Sequence, residues 1–182
     1  MRIAAVAIGI VLFAVTGAGA QVGDDAVLQG QLKKLFPNAA SFSTKTGTPA
    51  TYRALGPEAA GAEGELLGFA YWTTELEPLE RGFDGPIKML VGLDTAGMLT
   101  GVIVTDHREP YGYFSVDLPE FTKQFEHKNI RDPFKVGADV DAITRATISV
   151  TSASRAIRNS SRKVARAYLM PPAPPATPTA AQ

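Results

Sequence analysis

Apolar residues recur with helical spacing in two parts of this chain, one near each end. The first predicted helix places five apolar residues on one face and ends at Pro37: Val27, Leu28, Leu32, Leu35 and Phe36. The second is predicted to begin near Thr151 and to end before Pro171, with Ala153, Ala156, Ile157, Ser160, Val164 and Tyr168 on its buried face. Arg155, Arg158, Arg162 and Arg166 fall on the other face. We expect that basic face to be solvated, with docking to an acidic partner or a membrane as the alternative.

Between these helices, apolar runs predict strands. Residues 66–74 are apolar and aromatic, and residues 51–55 suit a short strand. Residues 87–93 alternate between apolar and other residues, so we expect one buried face and one mixed face. Gly97 suits a turn that makes residues 99–105 the antiparallel partner. Together the elements predict an α+β fold, a single domain with a mostly antiparallel sheet packed against helices.

Three shorter segments complete the prediction. Asp117, followed by Pro119 and Glu120, is typical of a helix start, and that helix would bury Phe121 and Phe125. Residues 75–84 are predicted to form a polar loop, and residues 129–140 a loop or short strand.

Both ends of the chain differ in composition from its middle. A basic start, a short apolar run and Ala18-Gly19-Ala20 predict that residues 1–20 are a signal peptide, which makes the protein exported or periplasmic. The apolar run is shorter than the roughly 20 residues that span a bilayer, so an uncleaved anchor is the weaker alternative. Residues 171–182 are rich in Pro and Ala and are predicted to be a disordered tail.

Composition excludes several classes of function. The formal net charge of zero gives no support to nucleic-acid binding, and the absence of cysteine excludes disulfide, haem c and iron–sulfur proteins. Two histidines, His107 and His127, do not make a recognisable metal site, and no catalytic motif is present. We therefore predict no catalytic residue and no metal ligand.

The candidate chemistry lies just before the last predicted helix. Hydroxyl side chains occur there at Thr144, Thr147, Ser149, Thr151 and Ser152. A helix start exposes unpaired backbone N–H groups and the positive end of the helix dipole, which favour an anion. The same hydroxyls could simply cap the helix, and the pattern by itself favours that interpretation.

This segment also resembles a known signature. Five positions match the flavinylation motif of the extracytoplasmic FMN-binding domain family, found in Rnf and Nqr electron-transfer complexes and in NosR: Asp141, Thr144, Ala146, Thr147 and Ser149. Arg145 stands where the family has Gly, and Ser149 stands where it more often has Thr. The resemblance implies that residues 21–170 form an FMN-binding domain. It also implies FMN attachment through a phosphoester to Ser149, with Thr147 as the second candidate.

The resemblance implies the remaining roles as well. Asp141 would help a flavin transferase to recognise the site. Arg145 would be strained if the family Gly has a positive φ; it would either hinder attachment or pair with the FMN phosphate. The protein would be an electron carrier rather than a stand-alone enzyme, working with a redox partner protein or a membrane electron-transfer complex. The alternative is a flavin-free interaction or accessory module of the same fold.

Overall fold

A five-stranded antiparallel sheet forms the centre of the protein. The computed structural model of the chain describes residues 26–58 and 62–170. The strands are β1 (Ser41–Phe42), β2 (Tyr52–Leu55), β3 (Leu66–Trp72), β4 (Lys88–Asp94) and β5 (Leu99–Asp106), and they neighbour one another in that order. The helices are α1 (Ala26–Leu35), α2 (Thr73–Leu76), α3 (Pro119–Lys123) and α4 (Thr147–Tyr168), with a 3₁₀ turn at Gly112–Phe114. The α+β prediction is confirmed.

Helices cover both faces of this sheet. On β3, Phe69 and Tyr71 belong to the larger core cluster together with residues of α3 and α4, whereas Ala70 and Trp72 pack with α1. The same division on β4 places Leu90 in the α1 cluster, and it is fully buried. The mixed character expected for the second face of this strand is confirmed at its ends, where Lys88 is exposed and Asp94 is half-buried. The middle of that face is buried because α1 covers it, which alternation within a single strand does not show.

Two glycines bring α1 close to the sheet. Gly92 on β4 pairs with Gly101 on β5. A Cβ atom on either residue would come within 3.2 Å of the Leu35 side chain, so a larger residue would push α1 away. Because Leu35 packs in the cluster that contains Leu90 and Trp72, these glycines let α1 seal the apolar face of the sheet.

The last helix differs from its prediction at the start. Helix α4 begins at Thr147, one turn earlier than the expected start near Thr151, so Ser149 lies inside it. Ala146 is the N-cap residue and no side-chain cap is formed there, so the capping role considered for the hydroxyls was wrong. The basic face was also only partly predicted: Arg155 and Arg166 are exposed, but Arg162 is half-buried and bonded to backbone carbonyls.

Smaller differences concern the connecting segments. The loop expected over residues 75–84 begins inside α2. Within residues 129–140 the two valines Val136 and Val140 make only an isolated bridge, so no strand forms there. Asp117 does not cap α3, because Leu118 is the N-cap residue and Asp117 bonds to His107 instead. Phe121 and Phe125 are fully buried, as predicted.

The two predicted terminal segments, the signal peptide over residues 1–20 and the tail over residues 171–182, lie outside the described residues. Across residues 26–58 and 62–170, none of the helices combines the length and the apolar character needed to cross a membrane.

Candidate functional site

A cavity of about 260 Å³ opens at the start of α4. The residues that line it come from three parts of the chain: Phe83, then Pro110 and Tyr111, then Arg145, Ala146, Thr147, Ile148 and Ser149. Large apolar side chains around it are exposed, including Phe83 at 67% and Ile148 at 59%. Such side chains at the mouth of a cavity offer flat apolar surface to a ligand.

The first residues of α4, whose backbone N–H groups have no partner within the helix, line the same cavity. The first hydrogen bond of α4 runs from Val150 N to the Ala146 carbonyl at 2.9 Å. The N–H groups of Thr147, Ile148 and Ser149 come before it, and an α-helix provides no internal partner for them. The helix has 22 residues, so these donors coincide with the positive end of a full-length dipole. The cavity floor therefore favours an anion.

Arg145 adds a full positive charge at the same edge. Its φ is 68°, in the left-handed region that costs a residue with a side chain about 1–2 kcal/mol. Its side chain is exposed, and it forms no ion pair with any residue that the structure describes. The chain thus places an arginine where glycine would be the relaxed choice, with the guanidinium free to meet a ligand.

The two candidate hydroxyls are in different environments. Thr147 is exposed and is the first residue of α4. Ser149 is 4% exposed, and its hydroxyl donates to the Glu109 carboxylate. The expectation that Ser149 lies before the last helix was therefore wrong, because α4 starts two residues before it.

Glu109 was not predicted as a site residue, yet it joins several parts of the site. It is 6% exposed. Besides the Ser149 hydroxyl, its carboxylate accepts the N–H groups of Phe83 and Asp84, each at 3.0 Å. Its own N–H donates to His107 Nδ1 at 3.0 Å, and His107 Nε2 lies 2.7 Å from the Asp117 carboxylate. Since Nδ1 accepts, the proton of a neutral His107 is on Nε2 and is donated to Asp117.

The segment before the cavity is fastened along α4. Lys163 pairs with Glu77, and Arg155 pairs with Glu80, each at 2.7 Å. The hydrogen bond and charge of Glu80 raise the pKa of Arg155. Glu109 links the backbone of Phe83 and Asp84 to Ser149, which lies nearer the start of α4 than Arg155 and Lys163. The basic residues of α4 thus fasten residues 77–80, which precede Phe83 in the chain.

Four of the six predicted site residues come together: Arg145, Ala146, Thr147 and Ser149 line the cavity. Asp141 and Thr144 are exposed and are not among the lining residues. The Asp141 carboxylate has no described partner, although its N–H donates to Gln124 Oε1 at 2.7 Å. Within the described part of the chain, no group of His, Cys, Asp and Glu side chains could hold a metal ion.

Sequence reasoning missed Phe83, Pro110, Tyr111 and Ile148 as lining residues, and Glu109 as their link. Glu109 precedes the bonded Ser149 by 40 positions. Nothing in the local pattern around Glu109 specifies a partner that far along the chain. The one available signal was its place two residues after His107, at the end of a predicted strand.

Comparison with known proteins agrees with this location. Residues 82–162 match the FMN-binding domain family, and this range contains every residue that lines the cavity. Over this range the chain is similar to the FMN-binding domain family. A curated relative from Vibrio vulnificus strain YJ016, a component of an ion-translocating oxidoreductase complex, is 31% identical over 88 residues. That match spans 43% of this chain and 42% of the relative, so less than half of the relative's length is covered.

Proposed function

We propose that this protein is an FMN-binding electron carrier that holds its flavin at the start of α4. The observation that carries the proposal is the coincidence of three features in one cavity: the unpaired N–H groups of α4, the charge of Arg145, and exposed apolar walls. All three lie within the residues that match the FMN-binding domain. FMN supplies the acceptance and release of one or two electrons, and the protein supplies position and electrostatics.

The residues fit the two ends of FMN. A phosphate suits the N–H groups of Thr147, Ile148 and Ser149 and the guanidinium of Arg145. An aromatic ring system suits the exposed side chains of Phe83 and Tyr111. The volume of about 260 Å³ is below the range of about 300–1,000 Å³ of most ligand pockets. The cavity therefore suits part of the cofactor, with the rest lying over the exposed aromatic residues.

Covalent attachment through a phosphoester is the finer part of the proposal. Ser149 is the candidate from the motif, and Thr147 is the second. Accessibility favours Thr147, since a transferase must reach the hydroxyl and Thr147 is exposed, whereas the Ser149 hydroxyl is buried and engaged by Glu109. Asp141 and Thr144, both exposed, remain available for recognition by a flavin transferase.

Denaturing electrophoresis under ultraviolet light, together with intact mass, tests the attachment. The protein is produced with a flavin transferase as wild type, Thr147→Ala and Ser149→Ala. We expect a fluorescent band and a mass gain of one FMN less one water in wild type and Ser149→Ala, but not in Thr147→Ala.

Loss of the fluorescent band and of the mass gain only in Ser149→Ala would assign the bond to Ser149. A native protein that is yellow but becomes colourless on denaturation would show non-covalent binding. A protein that stays colourless in every preparation would support the flavin-free accessory module.

Location and partners follow from the same proposal. We infer that residues 1–20 direct export and that the electron partners are a redox protein or a membrane electron-transfer complex. The relative's name, which describes one component of an ion-translocating oxidoreductase complex, supports the second kind of partner. N-terminal sequencing of the protein recovered from an exporting host should begin at Gln21. Retention of residues 1–20 in a membrane fraction would favour an uncleaved anchor.

A further inference from the structure

Glu109 connects chain segments that together form the cavity wall. Its Oε2 accepts both the Phe83 N–H, at 3.0 Å, and the Ser149 hydroxyl, while Oε1 accepts the Asp84 N–H at 3.0 Å. Phe83 and Ser149 both line the cavity, and Glu109 is followed directly by the lining residues Pro110 and Tyr111. One carboxylate therefore controls the relative position of three lining segments.

The surroundings of this carboxylate are closed. A Cβ atom on Gly82 would overlap the Glu109 carboxylate, and one on Gly112 would overlap the His107 ring that accepts the Glu109 N–H. Two glycines thus allow the backbone to pass directly against Glu109 and its support. The bonds from backbone and hydroxyl donors leave little freedom to the side chain.

Glu109 forms no salt bridge within the described residues. Each of its oxygens accepts from an N–H group, an arrangement that suits the carboxylate rather than the acid. A buried negative charge therefore lies one hydrogen bond behind the cavity wall at Ser149. Electrostatic interactions are stronger at such a buried position than in water.

We propose that Glu109 is the positioning residue of the FMN site. It acts by holding Ser149 and the backbone of Phe83 and Asp84 in position at the cavity. In addition, its negative charge lowers the midpoint potential of the bound flavin. The inference rests on the proposed FMN function. The potential is affected because a nearby negative charge disfavours the addition of electrons to FMN.

Glu80 provides a matched control. Like Glu109 it ties the segment before β4 to α4, since it accepts from Arg155 at 2.8 Å and lies 3.3 Å from the Ser152 hydroxyl. Ser152 is as buried as Ser149, at 3% against 4% exposure, and lies one turn farther along the helix. Neither Glu80 nor Ser152 lines the cavity. Replacing either one alters the fastening of this segment but removes no hydrogen bond made by a residue that lines the cavity.

The experiment compares full-length wild type, Glu109→Gln and Glu80→Gln. FMN is titrated into protein made without a transferase, and the midpoint potential and visible circular dichroism are measured on FMN-loaded protein. We expect Glu109→Gln to raise the Kd for FMN about tenfold, because a hydrogen bond to a charged group is lost. We also expect it to raise the midpoint potential and change the dichroism. Glu80→Gln should leave all three close to wild type.

A further variant separates the effect of the Glu109 charge from that of its side-chain length, and a pair of serine variants keeps the test possible if Glu109→Gln does not fold. Glu109→Asp keeps the charge but is one methylene shorter, so it should keep a potential near wild type while binding FMN less tightly. If Glu109→Gln does not fold, Ser149→Ala is compared with Ser152→Ala, and only the first should weaken FMN binding. The positioning role would be overturned if Glu109→Gln and Glu80→Gln changed the Kd for FMN and the midpoint potential equally. It would also be overturned if Ser149→Ala and Ser152→Ala weakened FMN binding equally. A wild type that carries no FMN, neither after titration nor after production with a flavin transferase, would overturn the proposed function itself, before any variant is compared.

Discussion

Arg145 combines a strained backbone with a positive charge at the proposed phosphate site. Its left-handed backbone, φ 68°, is a conformation in which glycine is relaxed and an arginine is strained. At the same position it brings a charge to the cavity where the proposed phosphate site lies. Backbone strain at a ligand site persists where the surrounding structure holds it in place, here the start of α4.

Replacing Arg145 by Gly and by Ala separates the strain from the charge, because both variants lose the guanidinium. The Gly variant should be more stable than the Ala variant by about 0.5–1 kcal/mol, since the left-handed cost of Ala exceeds the entropic cost of Gly. Urea unfolding of FMN-free protein measures this difference. FMN titration should show the same weakening in both variants. An Ala variant as stable as the Gly variant would show that residue 145 is not left-handed in solution.

At the scale of elements, α4 is a support for loops on both sides. Its buried stripe packs on the sheet through Val150, Ala153, Ile157 and Val164. Its basic side chains hold neighbouring segments: Lys163 and Arg155 hold the segment that leads to Phe83, and Arg162 holds the chain after α3. The cavity at the start of this helix is therefore built on a rigid element whose flanking loops are fastened to it.

Arg162 and Arg166, one turn apart, make a direct test of this role. Arg162 donates to the carbonyls of Ile130 and Asp132, both at 2.8 Å, whereas Arg166 is exposed. Arg162→Ser should lower the free energy of unfolding by about 2 kcal/mol, and Arg166→Ser should change it by less than about 0.5 kcal/mol. Chemical denaturation of the two variants beside wild type measures both. Equal effects would mean that the contacts of Arg162 with the loop add nothing to stability.

For the molecule as a whole, the loop between α3 and α4 makes stability depend on pH. Asp139 accepts from Lys128 Nζ at 2.9 Å and from the backbone N–H groups of Lys135 and Phe134 at 2.6 and 3.0 Å. Burial by itself would raise the pKa of Asp139, but these hydrogen bonds and the charge of Lys128 together lower it below the usual 3.8. Phe134, held in this way, packs into the larger core.

A carboxyl group whose pKa is lower in the folded state stabilises the fold above its unfolded pKa, and this stability is lost as the pH falls through the folded pKa. Asp139→Asn should therefore cost about 2 kcal/mol at neutral pH, with the difference from wild type shrinking below about pH 4. Urea unfolding across this range provides the measurement. Asp106→Asn, at an exposed strand end, is the control and should change the free energy of unfolding at neutral pH by less than about 0.5 kcal/mol. A constant difference at every pH would argue against the hydrogen-bonded carboxylate as its source.

Local pattern alone was enough to determine most of the elements. Helical spacing located α1 and the buried stripe of α4, and alternation with a glycine turn located the β4–β5 hairpin, because both signals act over a few neighbouring residues. The resemblance to a family motif around Arg145 and Thr147 indicated the candidate site, and both residues line the cavity. Tertiary structure alone decided which side chains complete the cavity. Whether Ser149 is accessible depends on where α4 begins and on Glu109, 40 positions away, and whether a strand face is buried depends on a helix from the other end of the chain. Such contacts join segments that are distant in sequence, so no local sequence pattern predicts them.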